Sequence, residues 1–117
     1  DNTFDNVFCS FVWRNISDTS EALEEVYRVL RPGGKFILLD MTRPKNSFLK
    51  MLHKIGTFKV LHLIGLLTFN LKEYRFLYKS LDFYPQPENY LKKDTFIDLQ
   101  IERMGLFNFV YLAVFTK

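Results

Sequence analysis

At 117 residues, with 48% hydrophobic and 17% aromatic side chains, the chain makes one domain at most and has ample material for a core. Its single cysteine, Cys9, excludes an internal disulfide and favours a cytosolic setting, and neither His53 nor His62 has a second ligand at a metal-binding spacing. The net charge of +3 is ordinary, so composition alone selects no polyanionic or polycationic partner.

Phe4 to Phe11 (FDNVFCSF) reads as a short buried strand, followed by a loop at Trp13-Arg14-Asn15. Asp18 or Ser17 caps the next helix, and Glu21, Glu24 and Glu25 suit its positive end. Ala22, Leu23, Val26, Val29 and Leu30 follow the helical period and form one apolar face. Pro32-Gly33-Gly34 is the expected stop, and Lys35 to Asp40 (KFILLD) a second buried strand. Two strands joined by such a helix are expected to be parallel neighbours with a right-handed crossover. Ligands in open α/β sheets bind beyond the carboxyl ends of the strands, which puts Ser10 to Asn15 and Asp40 to Pro44 on the functional rim.

After Pro44 the character changes. Phe48, Leu49, Leu52 and Ile55 predict one helix, residues 59–67 a second and 71–81 a third, whose apolar face is Tyr74, Leu77, Tyr78 and Leu81. Pro85 and Pro87 mark a loop. Asp94 is expected to cap a helix over Thr95 to Met104 that Gly105 closes, and Phe107 to Phe115 to form a last strand. The chain is thus read as α/β: strand, helix, strand, a helical insertion over 45–81, then a helix and a strand. Residues 1–44 carry five basic and seven acidic side chains, whereas 45–81 carry Lys45, Lys50, Lys54, Lys59, Lys72, Arg75 and Lys79 against Glu73 alone. A basic segment this rich in Leu, Ile and Phe suits an anionic membrane surface, with a solvated helix face as the alternative; nucleic acid fits less well. Val60 to Phe69 is the longest apolar run, too short for a bilayer that needs about 20 residues, and the acidic N-terminus does not read as a signal peptide.

The motifs DNTFD, F-x-x-R-N at Phe11 to Asn15, and A-L-x-E-x-x-R-V-L-R-P-G-G at Ala22 to Gly34 resemble the ubiquinone/menaquinone biosynthesis C-methyltransferases. These belong to the class I methyltransferases that use S-adenosylmethionine (SAM). Asp40 stands where that family more often has Glu, and Glu73 to Pro85 matches its tyrosine- and leucine-bearing helix before a proline. The resemblance implies the C-terminal half of a Rossmann-like sheet spanning 1–117, with 45–81 as a substrate lid. It places the glycine-rich, SAM-cradling half upstream of Asp1. It also implies a C-terminal hairpin with a glycine-rich bend; only twelve residues and no second glycine follow Gly105, so one strand or its turn is expected to be lost.

As implied by the resemblance, Ser10 and Phe11 contact SAM, Arg14 and Asn15 carry the chemistry, and Trp13 and Asp40 border the substrate; no metal is called for. Methyl transfer from a sulfonium to a ring carbon is an in-line displacement that needs orientation and stabilisation of a forming phenolate. A permanently protonated arginine suits the second task better than the role of a base. Each residue has a plainer role open to it. Ser10 could be a small strand residue, Arg14 a partner of Asp18 or Asp40, and Asn15 a turn residue. Asp40 could be a loop anchor, Trp13 a core plug, Cys9 an inert thiol, and the histidines packed or surface groups. The implied partners are a lipid-soluble quinol or other small molecule and a peripheral membrane contact, in a cytoplasmic or membrane-associated protein; self-association stays open. Another small-molecule or lipid substrate, or a non-catalytic remnant that binds a partner or membrane, are the competing readings.

Overall fold

A computed structural model of the chain describes residues 1–91 and 95–117. Asp18 caps α1 (Thr19–Val29) through its side chain, which accepts from the Glu21 N–H at 2.9 Å. The helix joins β1 (Phe4–Ser10) to β2 (Leu30–Met41), and the two strands are parallel, with Val7 opposite Phe36 and Cys9 opposite Leu38. The helix ends earlier than Pro32-Gly33-Gly34: Leu30 is already extended, and the glycines form an irregularity at the start of β2. Gly33 has φ +80°, and a Cβ on Gly34 would lie 2.8 Å from the Arg31 carbonyl oxygen and 3.0 Å from that of Asp5.

β1 stands at one end of the described sheet. The sheet order is β1-β2-β4-β3, so β1 is an edge with a neighbour on one side only, and Phe8 is 72% exposed. The core lies on the α1 face, where Trp13, Leu30, Phe36, Leu38, Tyr111 and Phe115 are buried and Ala22, Leu23, Val26 and Tyr27 pack against them. Phe36 stacks on Phe115 with ring centroids 5.5 Å apart.

The C-terminal third departs most from expectation. Residues 98–104 form β3 (Asp98–Met104), not a helix; the expected Asp94 cap lies outside the described residues. DLQIERM alternates, with Leu99, Ile101 and Arg103 half-buried and Asp98, Gln100 and Glu102 exposed, which is the strand period. β3 pairs antiparallel with β4 (Val110–Thr116), which also pairs antiparallel with β2. Both strands of the C-terminal hairpin are therefore present. Gly105 (φ +80°), Phe107 (φ 60°) and Asn108 (φ 54°) supply the left-handed backbone that a glycine-rich bend would otherwise provide.

The insertion is two long helices, not three. α2 (Ser47–Leu67) runs unbroken through Gly56, and Asn46 caps it by accepting from the N–H groups of Phe48 and Leu49. α3 (Leu71–Phe83) follows after a tight turn, and α4 (Pro87–Tyr90) is a single turn. Only His53 and Gly65 of α2 are buried. What fixes the insertion to the sheet is Arg43, just beyond β2 and 2% exposed. Its Nε donates to Asp82 of α3 at 3.0 Å, its Nη1 to Thr57 of α2 at 2.9 Å, and its Nη2 to the Tyr78 carbonyl at 3.3 Å. Nη1 also lies 3.2 Å from His53 Nδ1. A guanidinium can only donate, so Nδ1 accepts and His53 is the neutral tautomer protonated at Nε2. Burial lowers the His53 pKa, as does the Arg43 charge, against an opposing pull from Asp82.

Two outcomes are expected. Gly34→Ala meets backbone, so it should cost about 2 kcal/mol in urea denaturation. Gly56→Ala, with nothing within 4 Å of the new Cβ, should gain about 0.5–1 kcal/mol. Equal effects at both positions would contradict this packing. The second concerns acid. Because the His53 pKa is depressed on folding, its contribution is complete above pH 6.5 and is lost as the pH falls below that value. Glu88, held at about 2 chiefly by Arg103, adds a separate loss as the pH falls from 4.5 towards 2. Thermal unfolding across pH should show both, and His53→Gln should flatten only the first.

Candidate functional site

The C-terminal ends of β1 and β2 lie side by side, with Ser10 opposite Leu39 and the Phe11 N–H bonded to the Leu39 carbonyl at 2.8 Å. Ser10 and Phe11 are both exposed at this rim. Phe11 has φ 56°, a left-handed conformation costing a non-glycine residue about 1–3 kcal/mol and common at sites where the surroundings hold a strained backbone for a purpose. The chain then makes a short 3-10 turn, Trp13–Asn15.

That turn aims two neighbours in opposite directions. Trp13 points into the core, 1% exposed, with its ring 5.5 Å from Phe36. It does not line the groove described below, so the core-plugging role is the one the packing supplies and ring stacking on a substrate is not available to it. Arg14 reaches across to Asp40, the register neighbour of Tyr111 near the end of β2. Arg14 Nη1 donates to Asp40 Oδ1 at 2.5 Å, and its backbone N–H to Oδ2 at 3.2 Å; the Met41 N–H adds a third bond at 2.7 Å. Asp40 is 1% and Arg14 8% exposed, so this is a buried ion pair, with Asp40 behind Arg14 and off the groove surface. Asp18 is instead occupied with the helix cap. Among the described residues, Arg14 Nε and Trp13 Nε1 are buried without a hydrogen-bond partner.

In front of Arg14 and Asn15 lies an open groove of ≈ 630 Å³. Its far wall is the C-terminal part of α3, with Phe76, Lys79, Ser80 and Phe83, followed by Tyr84. The size falls in the range of small-molecule sites, and the mixture of apolar surface with a few polar groups is what such sites share. None of the α3 residues was identified from the sequence as lining a site. Phe76, Ser80 and Phe83 share a helical face by spacing, but the stripe Tyr74, Leu77, Tyr78 and Leu81 is the stronger apolar signal, and its Tyr78 ring meets Phe58 of α2. Arg43, which sets the position of that wall, was likewise not identified.

Behind the rim the titratable groups are kept neutral. The Tyr90 and Tyr111 hydroxyls lie 2.9 Å apart. Burial pushes Tyr90 up to about 12 and Tyr111 further in the same direction. Burial, with the nearby Asp40 charge, also raises the Cys9 thiol, which is therefore no nucleophile at neutral pH. Among the described residues, no group of three or more His, Cys, Asp or Glu side chains comes together as a metal set. The arrangement offers orientation and hydrogen-bond donation beside an apolar groove.

Comparison with known proteins agrees with this geometry. Residues 1–111 match the model of the ubiE/COQ5 methyltransferase family. The Ubiquinone/menaquinone biosynthesis C-methyltransferase UbiE of Rickettsia bellii (strain OSU 85-389) is 40% identical over 91 residues, covering 77% of this chain and 37% of the relative. The UbiE proteins of Rickettsia felis and Pasteurella multocida are 37% and 35% identical over 109 residues, covering 90% and 92% of this chain and 44% and 40% of theirs. The chain thus spans about two fifths of the length of the curated relatives it matches. With its α/β sheet, F-x-x-R-N rim and helical insertion, it belongs to the ubiE/COQ5 methyltransferase family.

Proposed function

We propose that this chain forms the substrate-side part of a C-methyltransferase that moves a methyl group from SAM to the ring of a lipid-soluble quinol in ubiquinone or menaquinone biosynthesis. The single observation that carries the reading is Arg14, held by Asp40 and facing a groove closed by α3. The family supplies the donor, and the relatives' names supply the quinone pathway.

The residues present fit one bank of a SAM site. Ser10 and Phe11 are exposed at the strand tip, and Phe11 holds a strained backbone there. Asp40 neutralises Arg14, so the rim does not repel a sulfonium cation. When bound, SAM supplies an electrophilic methyl group. Ser10 and Phe11 border it. Arg14, with donors beyond those Asp40 accepts, would stabilise the negative charge on the quinol oxygen once its proton has passed to water in the open groove. After the methyl group has moved, the ring carbon's own hydrogen would leave as a proton to water, restoring the aromatic ring. Asn15 orients that oxygen. Asp40 acts through Arg14 by fixing its position. Phe76 and Phe83 receive the apolar body of the substrate and exclude water.

In this reading residues 45–81 are the lid of a single partial domain. No helix among the described residues is long and apolar enough to cross a membrane. The exposed Phe48, Leu63, Leu67 and Phe69 of the insertion, among its lysines, suit peripheral docking on the bilayer that dissolves the quinol.

In the full-length enzyme, Arg14→Ala should lower turnover about 10²–10³-fold while leaving SAM affinity within about threefold. Asp40→Asn should lower turnover in the same direction. Both Asn and Ala strand the buried Arg14 charge, so both should destabilise the fold, Asp40→Ala by about 3–5 kcal/mol and Asp40→Asn by less because its amide oxygen still accepts. Single-turnover kinetics alongside SAM titration calorimetry make the distinction. If Arg14→Ala weakens SAM binding as much as it slows turnover, Arg14 is structural and the assignment fails.

A further inference from the structure

A second cavity, of ≈ 310 Å³, lies between α2 and α3, with Phe58, His62, Tyr74, Arg75, Tyr78 and Lys79 on its walls. We propose that it binds the phosphate of an anionic phospholipid, an inference that rests on the reading of the insertion as a membrane-docking lid. Arg75 and Lys79 stand one turn apart on α3, a like-charge pair that destabilises a helix unless an anion lies between them.

Three other basic groups nearby are paired, whereas Lys50, Lys59 and Lys72 have no acidic partner within 4.0 Å among the described residues but do not line the cavity. Lys54 and Arg43 share Asp82, and Lys45 pairs with Glu88. Among the described residues neither Arg75 nor Lys79 has an acidic partner within 4.0 Å, and no carboxylate lines the cavity. The α2 and α3 helices contain only two acidic residues, Glu73 and Asp82; Glu73 sits in the first turn of α3.

The aromatic walls give the cavity a fixed shape. His62 stacks on Phe58 with centroids 5.6 Å apart, and Phe58 meets the Tyr78 ring edge-on at 5.5 Å. Two cations, two tyrosines and an imidazole form a donor set for phosphate oxygens. The apolar surroundings select a lipid over a free anion. Leu63, Leu66 and Leu67 are exposed on the same end of α2, and Phe69 at the adjoining turn is 96% exposed. An inorganic ion makes no use of such neighbours, whereas a headgroup with its acyl chains covers them. Lys79 borders both this cavity and the groove in front of Arg14, so an occupied cavity would steady the groove's α3 wall.

The test is co-sedimentation of the full-length protein with phosphatidylcholine vesicles, with and without a minority of phosphatidylglycerol. Arg75→Gln and His62→Gln are compared with Lys50→Gln, which removes one charge from the same insertion outside the cavity. Diffuse attraction predicts a loss of about fivefold for either charge variant. A phosphate site predicts that Arg75→Gln costs about twentyfold or more, that His62→Gln also weakens binding although it removes no fixed charge, and that Lys50→Gln costs about fivefold or less. Equal losses for Arg75→Gln and Lys50→Gln overturn the site. So does equal binding to neutral and anionic vesicles, which leaves the docking reading intact, whereas binding to neither overturns both. Inorganic phosphate at constant ionic strength should not displace the protein from anionic vesicles; displacement would make this a free-phosphate site and overturn the lipid assignment.

Discussion

One buried guanidinium connects the two parts of this structure. Arg43 leaves the end of β2 and is enclosed by Asp82, Thr57, His53 and the Tyr78 carbonyl, with its Cζ 4.9 Å from the Tyr78 ring centroid. A charge taken this far from water is tolerated only where its donors are met, and here partners from both α2 and α3 meet them. Its own carbonyl accepts from Gln86 and from Arg103, which is in turn bound by Glu88. The insertion, the α3–α4 link and the hairpin are thereby referred to one point. Without that point, helices that bury so little of their apolar surface would have no defined distance from Arg14, and the groove would have no fixed width.

A second buried pair, Arg14 with Asp40, acts on the first strand tip as Arg43 acts on the second. Asp40 and Arg43 are three residues apart at the end of β2, so a single strand terminus anchors both the rim arginine and the insertion. The consequence is electrostatic as well as geometric. Both arginines are compensated, and the titratable groups behind them, Tyr90, Tyr111 and Cys9, are held in their neutral forms. A site arranged in this way presents fixed dipoles and donors that stabilise a phenolate, and the proton released in the proposed transfer to carbon would leave to water in the open groove.

The strand–helix–strand half was legible because its signals are local. Asp18 caps three residues ahead, the apolar face of α1 repeats at helical spacing, and KFILLD is a continuous apolar run. β3 was misread because Asp94 and Gly105 looked like helix punctuation, while the alternation in DLQIERM carried the true period. β1 was legible as a strand from its apolar run, while which strands flank it depends on pairings that composition does not report. Arg43 was beyond reach for a different reason. Its partners lie 10 to 39 residues away, and nothing in the segment MTRPK distinguishes a clasp from a surface arginine. Arg14 and Asp40 were legible as a pair of candidates because both lie where parallel strands end.

The insertion combines a closely fitted joint with an uncovered surface. At Gly65 a Cβ would lie 3.0 Å from Leu71 Cα, so α2 and α3 approach too closely for a side chain there to be accommodated without a small shift. The joint lets the two helices behave as one body, and Arg43 holds that body at its other end. Yet Phe48, Leu63 and Leu67 remain in solvent on a helix whose two buried residues include an imidazole, and Phe69 does so at the turn that follows. Exposed side chains of that size contribute little to the stability of the fold they sit on. A rigid, basic, apolar element attached beside the groove holds the groove's dimensions constant, and its exposed face is the surface that the proposed docking on a bilayer would use.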